Sequence, residues 1–164
     1  AMGEMEDLEQ TIKMLKSYVD QHPDTLVVLT ADHSTGGLTI GADGDYRWSP
    51  EFIQNMKASV TVMSERIIDS EDMTLYVEDV FGFALNEDEK NIISGISSSM
   101  DMRERENILK SLLDKRTNTG WTTSGHTGVD VEVYAFGAGA QAFAGNLNNI
   151  DIAKKIFTFL GDAE

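Results

Sequence analysis

Apolar residues recur at three- and four-residue steps from Met5 through Leu8, Ile12, Leu15 and Val19, with acids ahead of them and Lys13 and Lys16 further on. That spacing predicts an amphipathic helix over residues 4 to 21, and Pro23 ends it. The pattern then changes to an unbroken run, Leu26-Val27-Val28-Leu29, bracketed by Thr25 and Thr30. A continuous β-branched and aliphatic run of this length suggests a strand covered on both faces, as in a parallel α/β sheet. Leu38 to Gly41 reads as a short following strand.

From about Asp43 to Thr119 the texture is helical. Ser49-Pro50-Glu51 opens a stretch of helical spacing to Ile67 with an N-cap followed by proline at the first position. Further short helices are expected in "DMTLYVEDVFG", in "LNEDEKNIISGI" and in "MDMRERENILKSLLDKR". The second of these starts on Asn86 with Glu89 three residues later, a capping-box pattern. Apolar alternation returns in "VDVEVYAFG", where Val129, Val131, Val133 and Ala135 share one parity, so a strand is expected there. "GAGAQAFAG" supplies tight turns, and "NIDIAKKIFTFLG" closes the chain as an amphipathic helix with an Asn N-cap and Gly161 as its stop. The frame is helix, strand, helical insert, strand, helix, without internal repeats or low-complexity tracts. It divides the chain into one α/β part, 1–42 with 120–164, and a helical insertion, 43–119.

With 164 residues, 41% hydrophobic and 25% charged, the chain has the size and composition of one globular domain. Thirteen basic against twenty-eight acidic residues leave a net charge of −15. Such a surface opposes binding to a phosphate backbone, so nucleic acid is excluded as an expected partner. No apolar run is long enough to span a membrane, and no leader pattern stands at the N-terminus. The absence of cysteine rules out disulfides and confines any transition-metal site to His, Asp, Glu and water.

Three histidines narrow the search for chemistry. His22, at a helix C-terminus, satisfies the helix dipole and requires no further role. Asp32 and His33 stand where the apolar strand ends, and ligands gather outside the carboxyl ends of strands in open parallel sheets. Neighbouring side chains of a strand point to opposite faces, so the pair converges only if the pleat breaks; Ser34-Thr35-Gly36-Gly37 offers that break. The pair reads either as two metal ligands or as an ordinary turn with a half-buried histidine. His126 lies between glycines, among Thr122, Thr123, Ser124 and Thr127. Those hydroxyls could orient an imidazole or bind an oxyanion, or they could merely cap backbone groups.

"TLVVLTADHSTGGLTIG" resembles the Thr-Ala-Asp-His stretch of alkaline phosphatases, and "GWTTSGHTGVDVEVYAFGAGA" with "NNIDIAKKIFTFLG" is similar to that family's C-terminal histidine segment and last helix. The two motifs stand in the family's order. The resemblance implies part of a three-layer αβα sandwich with a helical insertion. It also implies metal-dependent hydrolysis of phosphate monoesters through a phosphoserine intermediate, with two zinc ions and a nearby magnesium. Asp32 and His33 match ligands of the zinc that meets the nucleophilic serine's oxygen, and His126 matches a ligand of the neighbouring zinc. Family members are generally secreted or periplasmic homodimers.

The chain departs from that pattern by its length and by lacking the serine motif. An Asp and a His four residues apart, the remaining ligands of the second zinc, belong upstream of a helix like residues 4 to 21. The resemblance therefore implies a C-terminal fragment that is inactive by itself. Two other readings stand beside it: a fragment of a sister metalloenzyme, a phosphomutase or sulfatase relative, and a non-catalytic interaction module. The latter would present Tyr46, Trp48, Phe52, Tyr76, Phe81 and Phe83.

Overall fold

The computed structural model describes residues 2–161 and divides them into two compact units. One unit runs to Ser34 and resumes at Gly128; the other is Thr35–Thr127. The helical span 43–119 lies wholly inside the second unit.

In the first unit, α1 (Met2–Gln21) turns Leu8, Ile12, Leu15 and Val19 to its half-buried side, as their spacing requires, while Met5 is exposed. His22 follows α1, and the Thr25 amide donates to its carbonyl at 3.0 Å, turning the chain into β1 (Leu26–Thr30). The partner of β1 is β4 (Val133–Gly137), antiparallel, from Leu26 opposite Gly137 to Thr30 opposite Val133. This corrects the parallel pairing expected from the apolar run. Such a run reports how much of a strand is covered but not which way its neighbour travels. The predicted strand over residues 129–137 is also shorter: β1 offers nothing beyond Thr30 for residues 129–132 to pair with. The foreseen alternation holds within the strand's reach, with Val131, Val133 and Ala135 half-buried and Glu132 and Tyr134 exposed.

Past β4, a 3₁₀ turn (Ala140–Phe143) leads to α7 (Asn149–Leu160), the closing helix foreseen from its pattern; the labels α2 to α6 belong to the second unit. The Asn148 side chain accepts from the Ile150 amide at 3.1 Å, and Gly161 stops the helix at φ 89°. Phe143 is the buried apolar side chain among this unit's described residues, stacked on Phe159 at 6.2 Å. Much of α7's apolar face, including Phe157 and Leu160, is exposed.

The second unit contains the main core. A two-residue strand β2 (Thr39–Ile40) pairs antiparallel with β3 (Thr119–Gly120). The sequence pattern foresees β2 and misses β3, which is too short to show alternation. Between them stand α2 (Glu51–Gln54), α3 (Val60–Arg66), α4 (Met73–Phe81), α5 (Glu87–Ser94) and α6 (Met102–Thr117). The single helical stretch expected after Ser49 is two helices. The chain breaks over residues 55–59, where the Lys57 amide turns to the Val80 carbonyl at the end of α4 at 2.8 Å, and Ser59 caps α3 through the Val62 amide.

Met63, Ile67, Val77, Phe81, Ile93 and Leu109 are fully buried in this core. Each contributes about 1.5–3 kcal/mol by leaving water. Reciprocal capping boxes start α5, between Asn86 and Glu89, and α6, between Asp101 and Glu104. Glu89 also receives Arg116 Nε at 2.6 Å, and the Arg116 guanidinium lies over the rings of Phe52 and Phe83 at 5.7 and 5.2 Å. Phe83 in turn stacks on Phe81 at 5.1 Å. These contacts put Phe52, Phe81 and Phe83 into the packing of the unit, against the interaction-surface reading; Tyr46 alone of the six is wholly exposed. No helix among the described residues is long and apolar enough to cross a membrane.

Candidate metal-binding residues

Asp32 and His33 follow β1 after the single residue Ala31, and both are exposed. The pleat has ended at Thr30, whose hydroxyl donates to the Glu132 carbonyl at 3.1 Å and closes the ladder. Freed from strand geometry, the two neighbouring side chains converge: Asp32 Oδ2 lies 3.3 Å from His33 Nε2. The other carboxylate oxygen accepts from the His33 amide at 3.1 Å. On the far side of the ring, Nδ1 lies 3.0 Å from the Ser34 carbonyl. A carbonyl cannot donate, so Nδ1 carries a proton and the other ring nitrogen, Nε2, is the one that faces Asp32.

This arrangement brings an anionic oxygen and a ring nitrogen face to face. A proton on Nε2 would make the contact an ordinary ion pair, and with the ring neutral a metal ion between the two atoms would serve instead. Zinc bonds of about 2.0–2.1 Å in tetrahedral geometry separate adjacent ligand atoms by about 3.3 Å, so the spacing of Asp32 and His33 suits two corners of such a site. The backbone carbonyl on Nδ1 is the usual support for a ligating imidazole. Two ligands do not complete a site. Among the described residues no group of three or more His, Asp or Glu side chains could hold a metal ion.

His126 belongs to the second unit, in an exposed loop after β3. Its neighbours behave partly as the bland reading expects, since Thr123 Oγ1 accepts from the Gly125 amide at 3.2 Å. The loop wraps around two glycines. The Gly36 amide donates to the Gly125 carbonyl at 2.7 Å, and the Gly36 carbonyl accepts from the Thr122 and Thr123 amides at 2.8 and 3.1 Å. Gly36 and Gly37 have φ of 59° and 64°, and a Cβ on either would come within 2.7 Å of Trp121 or Thr122. These glycines thus supply both a left-handed turn and a close approach, where a sequence reading assigns them only the turn.

Trp121 escaped the sequence reading altogether. Its indole Nε1–H donates to Asp114 Oδ1 at 3.1 Å. Burial pushes the Asp114 carboxyl above the usual carboxylate range, and the indole hydrogen bond acts against that rise. His22 is structural, as foreseen: Nδ1 donates to the Tyr18 carbonyl at 2.9 Å and the ring stacks on Tyr18 at 4.0 Å.

Comparison with known proteins places this geometry in context. The family model described as alkaline phosphatase matches residues 1–161. Alkaline phosphatase 3 of Bacillus subtilis is 42% identical over 163 residues, covering 98% of this chain and 35% of that protein. Alkaline phosphatase 4 of the same organism is 32% identical over 98% of the chain and 35% of its own length. Among solved structures, a cold-active alkaline phosphatase from a psychrophilic Shewanella superposes with a TM-score of 0.86 at 41% identity, covering 98% of this chain and 40% of that one. The chain therefore spans about a third of the length of the curated relatives it matches.

Proposed function

Since the chain belongs to the alkaline phosphatase family and shares its α/β fold, we propose that it is the C-terminal part of a metal-dependent enzyme that hydrolyses phosphate monoesters through a phosphoserine intermediate. In this reading Asp32 and His33 hold one zinc ion, and His126 helps to hold a second. The nucleophile, the remaining zinc ligands and most of the magnesium ligands come from parts of the enzyme outside these 164 residues. The family match favours this over a phosphomutase or sulfatase relative.

The observation that carries the proposal is the convergence of Asp32 Oδ2 and His33 Nε2 at 3.3 Å with Nδ1 turned to the Ser34 carbonyl. Paired zinc ions, when bound, lower the pKa of an attacking oxygen and stabilise a leaving one. The chain's own residues have simpler tasks. Asp32 brings negative charge to the cation, the Ser34 carbonyl orients the His33 ring through Nδ1, and the end of β1 at Thr30 frees both side chains to face one point. The family resemblance further suggests a secreted or periplasmic location and a homodimeric parent.

In the intact enzyme, His126→Ala should reduce turnover of a phosphate monoester by more than the roughly 10–100-fold typical of losing a supporting residue. Near-normal turnover would remove His126 from the site. The 164-residue chain alone should show no turnover and only weak zinc binding that depends on His33. Calorimetry giving a submicromolar affinity would contradict the idea that its ligand set is incomplete.

A further inference from the structure

Trp121 opens the loop that carries His126, and it is held from two directions within the second unit. Through Nε1–H it is tied to Asp114, which lies in the last turn of α6. Its ring edge covers Gly36, where a Cβ would stand 2.7 Å from Cε3 of the indole and 2.9 Å from the Thr123 carbonyl oxygen. Gly36 is buried, although the indole above it is 45% exposed. The same Gly36 makes three backbone hydrogen bonds, to Thr122, Thr123 and Gly125. Gly125 immediately precedes His126. A rigid helix is thereby connected, contact by contact, to the backbone beside the imidazole.

We propose that Trp121 is a positioning residue for His126: anchored by Asp114 and seated on Gly36, it holds the 121–126 loop in the one conformation that presents the imidazole. The inference rests on reading His126 as a metal ligand. A loop with no regular structure and little burial of its own opens easily, whereas a ligand is useful only when held within about 0.5 Å of its place. Covering Gly36 with an indole keeps water from competing for its amide and carbonyl. The Asp114 carboxylate is itself partly desolvated, which strengthens its bond to the indole N–H.

Amide exchange and the imidazole signals of His126 in NMR spectra of the 164-residue chain test this directly. Trp121→Ala should speed exchange at the Gly36 amide by about fivefold or more, the equivalent of one net hydrogen bond, and should shift the His126 signals. The amides of Val77 and Leu109 in the core of the same unit should keep their protection. Trp121→Phe, with a ring but no N–H, should fall between. Asp114→Ala should match it, and Asp114→Asn, which keeps an acceptor, should restore near-normal exchange.

Unchanged Gly36 exchange and His126 signals in Trp121→Ala would overturn the proposal, as would a uniform loss of protection that includes Val77 and Leu109. In the intact enzyme loaded with zinc alone, Trp121→Ala should weaken His126-dependent affinity by about 10–100-fold. Should His126→Ala leave zinc affinity intact, the ligand reading fails on that arm, while the exchange measurement still decides whether Trp121 holds the loop.

Discussion

At the scale of single residues, Gly36 decides the most. A left-handed backbone costs an L-residue about 1–2 kcal/mol, and filling a close contact costs about 1–3 kcal/mol more. Gly36→Ala meets both, because the Thr123 carbonyl that a Cβ would strike is backbone and cannot swing aside. The expected loss is about 2–5 kcal/mol by urea denaturation. Gly44, also left-handed at φ 78° but with nothing within 4 Å of a new Cβ, is the internal control and should lose only the backbone share. Equal losses at the two positions would mean that the loop yields to the added methyl. Asp32 and His33 show the opposite balance: both are exposed, so their spacing reflects local geometry rather than packing.

Among elements, the contact between α5 and α6 concentrates the charge. Arg116 holds the Glu89 carboxyl below its ordinary value of 4.5, mainly by their hydrogen bond and with help from the Asn86 amide side of the capping box, while burial opposes it. A carboxyl depressed in the folded state stabilises above its unfolded pKa, and that stabilisation is lost as pH falls through the depressed value. Wild type should therefore exceed Glu89→Gln in stability at neutral pH, and the gap should shrink as pH drops below about 4.5, as read by urea midpoints across the range. A gap independent of pH would assign the effect to packing. The rings of Phe52 and Phe83 beneath the guanidinium do not titrate and hold Arg116 at all pH values.

For the molecule as a whole, the two units differ in what holds each together. The second unit has a cluster of ten buried apolar residues from Met63 to Leu112, whereas the first buries Phe143 among its described residues and leaves apolar side chains of α1 and α7 exposed. Local opening free energies follow buried apolar contact. Amides of Val77, Phe81 and Leu109 should thus exchange by global unfolding, and those of α1 and α7 should exchange faster by smaller openings. Equal protection throughout would contradict this division.

Much of this was legible along the chain because it is local. Helix periodicity, the Asn86 box, the Asn148 cap and the Gly161 stop each involve residues within one turn, so spacing alone reveals them. The Asp-His pair was legible as a candidate because two neighbouring ligands after an apolar run need only a broken pleat. Other features depended on partners distant in sequence. The antiparallel direction of β4, the existence of β3, the break between α2 and α3 imposed by Val80, and the cover that Trp121 gives Gly36 all arise where one segment meets another. Periodicity records that a side chain must be covered; only the tertiary structure chooses what covers it, because burial is unspecific while hydrogen bonds and close contacts have direction.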